Sequence, residues 1–175
     1  MAAIILPQPE YNRFEIPEIF RKNKEFENFV LNNLFPRELY TLIDHTASNL
    51  QNAGRSGKRN PQAGLLLRDN SIGTEFYADC KYHYGLIANS FRFSKEPKIG
   101  RYKTYTERSF FLVLGLGGSS SAPTEVFLAN FKDCPHVHLF KRHLAGKAIP
   151  TNIPVQSESL WKQEPRHHFF SKRIA

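Results

Sequence analysis

The feature that most constrains the fold is the stretch 110–116, which is apolar at nearly every position. Alternate side chains of a β-strand point to opposite sides, so a strand without polar positions is buried on both faces. Gly117 and Gly118 follow and favour a tight turn rather than a phosphate-binding loop, because no Gly-Lys-Ser/Thr sequence ends the segment. The stretch therefore predicts a central strand of a covered sheet.

Hydrophobic spacing predicts the elements around this strand. The sequence predicts a mixed sheet flanked by helices, an α/β sandwich. The expected elements are a helix over 24–33, a strand or helical turn over 38–45, a hairpin of strands 65–67 and 75–82, a helix over 97–107, a strand over 125–131 and a helix over 135–144. Residues 46–60 are expected to form an exposed loop.

The chain has 175 residues, enough for one domain with a real core. We expect an N-terminal arm over 1–20, the folded domain over 21–146 and a basic C-terminal tail over 147–175 that packs loosely or is partly disordered. No stretch approaches the roughly 18 apolar residues of a membrane span. Two cysteines, Cys80 and Cys134, are expected to be free thiols in a cytoplasmic protein.

The formal net charge of +8 favours a polyanionic partner, with nucleic acid first and an acidic membrane surface second. A basic protein without such a partner is the alternative. Cys134, His136, His138 and His143 match no common zinc module, and we expect them in a loop that enters a helix.

The chemistry-bearing feature is the strand around Asp79 and Lys81. Residues two apart on a strand share a face. A carboxylate there can hold Mg²⁺, and a lysine can orient or activate the attacking water and offset charge in a phosphoryl-transfer transition state. The alternative for this pair is a simple salt bridge.

The sequence Asp79-Cys80-Lys81-Tyr82, preceded by Phe76 and Tyr77, resembles the PD-(D/E)xK nuclease superfamily. Together with the element order, the resemblance covers about residues 22–145. It implies a restriction-endonuclease-like fold and a Mg²⁺- or Mn²⁺-dependent endonuclease that hydrolyses phosphodiester bonds of DNA.

The resemblance also implies roles for single residues. Asp79 matches the acid of the motif and a metal ligand, Lys81 matches its lysine, and Glu27 on the first helix matches a glutamate near the metal. Lys98 matches a position that contacts phosphate. The basic residues expected to bind nucleic acid are Lys58, Arg59, Lys98 and Arg101.

The sequence departs from the family where a second acid should begin the first hairpin strand, because Ala63 and Gly64 stand there. Asp69 is the next candidate for a catalytic and metal-binding partner of Asp79. Glu75 would lie about 13 Å along the strand from Asp79, too far to share an ion. Either Asp69 turns inward, or the metal site is incomplete. An incomplete site predicts a degenerate nuclease fold that binds nucleic acid or another protein without cutting.

Overall fold

The computed structural model of the chain describes residues 18–45, 64–92, 108–134 and 138–163. They form a mixed sheet with a helix packed against it, so the predicted α/β class is confirmed at that level. In chain order the elements are α1 (Glu18–Phe29), a π-helical turn (Val30–Leu34), β1 (Tyr40–His45), β2 (Leu65–Asp69), β3 (Glu75–His83), β4 (Ser90–Arg92), β5 (Ser109–Ser119), β6 (Ala122–Asn130), a 3-10 turn (Phe131–Asp133), β7 (His138–Phe140), a second 3-10 turn (Lys141–Leu144), β8 (Ala148–Ile149) and α2 (Ser157–Trp161).

The main sheet has six strands in the order β1-β2-β3-β5-β6-β8, while β4 and β7 form a separate two-stranded sheet. Neighbouring strands are antiparallel except for β3 and β5, which are parallel. A parallel pair needs a crossover connection. The chain makes that crossover through β4 and a segment that includes the predicted helix over 97–107, which lies outside the described residues.

Helix α1 covers one face of the sheet. Phe26, Val30 and Leu34 recur every fourth residue and are fully buried, as the helical spacing predicts. Gly115 of β5 lies directly beneath the ring of Phe26, since a Cβ on this glycine would stand 2.4 Å from a ring carbon. The close approach of helix and sheet therefore depends on the absence of a side chain at this position.

Strand β5 is buried on both faces, and this prediction is confirmed. Phe111 and Val113 belong to the apolar cluster beneath α1. Leu112 and Leu114 belong to a second cluster on the opposite face, which Leu139 helps to cover. The sheet thus separates two apolar layers.

The helix predicted over 135–144 is wrong. The chain forms β7 there, followed by a 3-10 turn, and β7 pairs with β4 from a distant part of the sequence. Leu139 of β7 is fully buried. Gly146 does follow the turn, with a φ of 72° that favours glycine. Tertiary pairing with β4 thus replaced the local helical preference.

The expected loose packing of the C-terminal segment is also wrong for the part up to Gln163. Val155, Leu160 and Trp161 are buried in the cluster beneath α1. The hydroxyl of Tyr40 donates to the carbonyl of Val155 at 2.8 Å, and the amide of Val155 donates to the carbonyl of Leu34 at 2.9 Å. This segment completes the core.

Candidate active site

Asp79 and Lys81 lie on the face of β3 that points away from α1. The Nζ of Lys81 donates to Oδ1 of Asp79 at 2.7 Å. Only 3% of the Asp79 side chain is exposed, against 20% for Lys81. Their partners in β5 are the apolar Leu112 and Leu114. The pair therefore sits in surroundings of low polarity with one edge open to solvent.

The charge on Lys81 is set by its neighbours. Burial alone would lower the pKa of its ammonium group, but the attraction and hydrogen bond of Asp79, with Glu27 adding to them, raise the pKa above the ordinary value. Lys81 is therefore cationic at neutral pH. A cation can stabilise negative charge and donate hydrogen bonds, but it cannot accept a proton from water.

Glu27 reaches this end of the sheet from α1. Its Oε2 contacts Nε2 of His45, the last residue of β1, at 2.9 Å. Both side chains are mostly buried, with 18% of Glu27 and 30% of His45 exposed. The contact holds Glu27 in one orientation. His45 was missed in the sequence, because a single histidine at the end of a short strand carries no signal until the helix and sheet are packed.

Gly64 lies between the two carboxylate residues. A Cβ on Gly64 would stand 3.6 Å from Oε1 of Glu27 and 3.8 Å from Cα of Asp79. Residue 64 is thus the place from which a third carboxylate would enter the site. The structure pairs Asp79 with Lys81, and it places the carboxylate of Glu27 beside Gly64, which lies next to the backbone of Asp79.

The structure does not bring Asp69 to Asp79. In the pairing of β2 with β3, Leu65 lies opposite Ala78 and Arg68 lies opposite Glu75. Asp69 is therefore about 17 Å from Asp79 along the strands, at roughly 3.4 Å per residue, and cannot share a cation with it. This corrects the expectation that Asp69 is a catalytic and metal-binding residue.

Asp69 instead lies in the core at the other end of β2. Its Oδ2 accepts a hydrogen bond from Nε1 of Trp161 at 2.8 Å. Its Oδ1 accepts from the amide and the hydroxyl of Ser71 at 2.9 and 2.7 Å. Glu75 has a structural role too, since it forms ion pairs with Arg68 and Arg108.

The four basic residues predicted to bind nucleic acid lie outside the described residues, and their role stays a prediction. They are Lys58, Arg59, Lys98 and Arg101. Cys80 and Cys134 are buried free thiols. Burial raises the pKa of both, to about 11 for Cys134, so neither thiol is a nucleophile at neutral pH.

The side chains near Asp79 offer few ligands for a divalent cation. Within the described ranges, no group of three or more His, Cys, Asp or Glu side chains is arranged to hold a metal ion. The carboxylate of Glu27 and the backbone of Asp79 lie beside Gly64, and Mg²⁺ is commonly bound by one or two carboxylates together with phosphates of the substrate. A cation bound here would therefore need ligands from a bound phosphate in addition to these two residues.

Neither a family model nor a curated protein matches the sequence. In the part of the chain that the structure describes, no helix is both long and apolar enough to cross a membrane.

Proposed function

We propose that this chain is a metal-dependent, restriction-endonuclease-like hydrolase that acts on phosphodiester bonds of nucleic acid, with DNA as the first candidate. The observation that carries the proposal is the largely buried ion pair of Asp79 and Lys81 on β3, with the carboxylate of Glu27 beside Gly64 at the same end of the sheet. The connectivity also supports it. A helix, three antiparallel strands, a crossover and a strand parallel to β3 follow one another, as the resemblance to the PD-(D/E)xK superfamily implies.

In this proposal Glu27 and Asp79 would hold the cation. Mg²⁺ or Mn²⁺ would supply Lewis-acid stabilisation of the phosphate charge. His45 keeps Glu27 in place by its contact with Oε2, so that Oε1 is directed toward Gly64.

Lys81 has a separate task. Its ammonium group, held at the site by Asp79, stabilises negative charge that develops on the phosphate oxygens. The raised pKa favours this task over proton abstraction from the attacking water. Of the two roles considered for this lysine, charge stabilisation is the one its electrostatics support.

A second candidate function rests on one observation, the glycine at residue 64. Without a third carboxylate the fold could bind nucleic acid and not cut it. This alternative shares the fold and the basic charge with the first, and differs only in turnover.

The decisive experiment is nicking of supercoiled plasmid with Mg²⁺ or Mn²⁺. We expect wild-type protein to nick and Lys81→Ala to lose about 10²-fold or more of the rate. Because Lys81→Ala removes the ion-pair partner of the buried Asp79 and threatens folding, Lys81→Gln should be measured in parallel, with the melting temperature of each variant. Lys24→Ala, which removes an exposed lysine of α1, is the matched charge control.

If wild type and Lys81→Gln are equally active, the nicking comes from a contaminant or another site. If wild-type protein binds DNA at low salt and does not nick, the binding module is the correct function.

A further inference from the structure

The two-stranded sheet of β4 and β7 carries a row of three side chains on one face. Ser90 of β4 lies opposite Phe140 of β7. Ile87 lies opposite Ser90 across a tight turn, and each of their amides donates to the carbonyl of the other at 2.9 Å. Residues directly opposite each other in antiparallel pairs have their side chains on the same face. Ile87, Ser90 and Phe140 therefore form one row.

This row faces away from the main sheet. Side chains alternate along a strand, so Leu139, next to Phe140 in β7, points to the opposite face. Leu139 is fully buried against Leu112 and Leu114 of the main sheet. The row is open to solvent, with 85% of Ile87 and 38% of Phe140 exposed. A single exposed apolar side chain is ordinary, but two large ones in one row mark a candidate binding surface.

The small side chain of Ser90 separates the two large ones. Cross-strand neighbours have Cβ atoms about 5 Å apart, so those of Ile87 and Phe140 stand about 10 Å apart. A planar ring stacked between two side chains needs about 7 Å, because carbon atoms in contact lie about 3.5 Å apart. The row thus forms a notch that admits one planar ring, with Ser90 as its floor and Ile87 and Phe140 as its walls.

The turn beneath Ile87 holds this wall in place. Its two central residues, Ala88 and Asn89, have φ values of 49° and 56°, as in the tight hairpin turn whose twist matches that of the strands. The carbonyl of Asn89 accepts a hydrogen bond from the amide of Lys141 at 3.0 Å, which ties the turn to the residue after β7. The two walls of the notch are therefore joined through the backbone.

Positive charge lies at the Phe140 wall. The guanidinium carbon of Arg142 stands 5.0 Å from the centroid of the Phe140 ring. Within the described ranges no carboxylate forms an ion pair with Arg142, whereas Lys141 beside it contacts Glu125. An apolar protein surface docked on the row would cover this cation without a counter-charge, which is costly. A nucleotide suits the surface better, since it combines a planar base with an anionic phosphate.

We propose that the notch binds an unpaired nucleobase, which stacks between Ile87 and Phe140 while Arg142 contacts a neighbouring phosphate. The choice of nucleic acid rests on the proposed function, and the notch adds the form of the substrate. A base inside a duplex is already stacked and paired, so it must leave the duplex before it can enter such a site. The substrate is therefore single-stranded or locally unpaired at this surface.

The test titrates the full chain, by fluorescence anisotropy, against two labelled strands of about ten nucleotides. One is oligothymidine, and the other is an abasic strand with the same number of phosphates. Divalent cations are left out so that neither strand is cut. Only base contacts distinguish the two probes, and wild type should bind oligothymidine about fivefold or more tighter than the abasic strand.

Substitutions in the notch should remove this preference for a strand with bases. Ser90→Val fills the floor without removing a charge or an apolar group, and should bind both strands alike. Phe140→Ala should do the same, whereas Phe140→Trp keeps an aromatic wall and should retain the preference. Ile19→Ala, at an exposed apolar position of α1, is the control and should behave as wild type. Circular dichroism verifies the fold of each variant.

The phosphate contact is tested separately. Arg142→Gln should weaken the binding of both strands by the same factor, because it removes a contact to phosphate and leaves the base contacts in place. Arg37→Gln, at an exposed position before β1, is the matched charge control. An effect of Arg142→Gln no larger than that of Arg37→Gln would refute the assigned phosphate contact.

The inference is overturned if wild type binds the two strands equally, or if folded Ser90→Val keeps the preference for oligothymidine. It is also overturned if light scattering shows a wild-type dimer that Ser90→Val dissociates, since the row would then join two copies of the chain. None of these measurements depends on hydrolysis. A base preference without plasmid nicking refutes the proposed hydrolysis alone, and nicking without a base preference refutes this inference alone.

Discussion

Replacing Asp69 by asparagine tests the corrected role of this residue. Asp69 is 1% exposed and accepts hydrogen bonds from Trp161 and Ser71 on its two oxygens. Asparagine has the same shape but offers one acceptor oxygen and one donor nitrogen. In either orientation of the amide, a donor of Trp161 or Ser71 faces another donor and is left without its acceptor.

The size of the destabilisation follows from these contacts. A hydrogen bond to a charged group contributes about 1.5–3 kcal/mol, and a buried donor without an acceptor costs about 1–3 kcal/mol. We therefore expect Asp69→Asn to lower the free energy of unfolding by about 2–3 kcal/mol at pH 7. For a chain of this size that is a fall in melting temperature of roughly 5–10 °C.

The loss of stability caused by Asp69→Asn should depend on pH. Burial alone would raise the pKa of Asp69, but hydrogen bonds from Ser157, Ser71 and Trp161 together lower it below the ordinary value. A carboxyl group whose pKa is lower in the folded state stabilises the fold fully above its unfolded pKa, about 3.9 for aspartate, and loses that contribution as the pH falls through the folded pKa. The difference in the free energy of unfolding between wild type and Asp69→Asn should therefore become smaller below about pH 4.

The assay is urea unfolding at pH 7 and at the lowest pH at which wild type is folded. Trp161 is the only tryptophan of the chain, so its fluorescence reports directly on this end of the core. Asp44→Asn, at an exposed position of β1, is the matched control and should change stability by less than about 0.5 kcal/mol. If Asp69→Asn is as stable as this control at pH 7, or if its deficit is the same at both pH values, the hydrogen-bonding account of Asp69 is refuted.

Two further predictions concern the core. Gly115→Ala places a methyl group against the ring of Phe26 and should destabilise the fold by about 1–3 kcal/mol in the same unfolding assay. Gly73→Ala is the comparison variant: its methyl group meets no neighbouring atom, so its loss of stability reports only the strain of a positive φ. Cys80 and Cys134 should resist a thiol reagent at pH 8 in native protein and react fully in denaturant, since both are buried and burial raises both pKa values. Fast labelling of either thiol in the native state would contradict the packing of that side chain.

Much of the fold follows from local patterns in the sequence. The four-residue spacing of Phe26, Val30 and Leu34 determined a helix with one buried face. The apolar run in β5 required packing partners on both faces of the sheet. The two-residue spacing of Asp79 and Lys81 placed them on one face of a strand, where they form their ion pair. Periodicity of side-chain direction is a local property, so it can be read without knowing any partner.

Tertiary structure alone decided which residues meet. The register of β2 against β3 puts Gly64 beside Asp79 and carries Asp69 to the far end of the strand. The packing of α1 brings the carboxylate of Glu27 beside Gly64. Hairpin register and helix docking depend on contacts between residues far apart in the chain, and a local pattern does not encode them. The sequence therefore determined the strand that carries Asp79 and Lys81, whereas the packed fold decided which residues from other elements lie beside it.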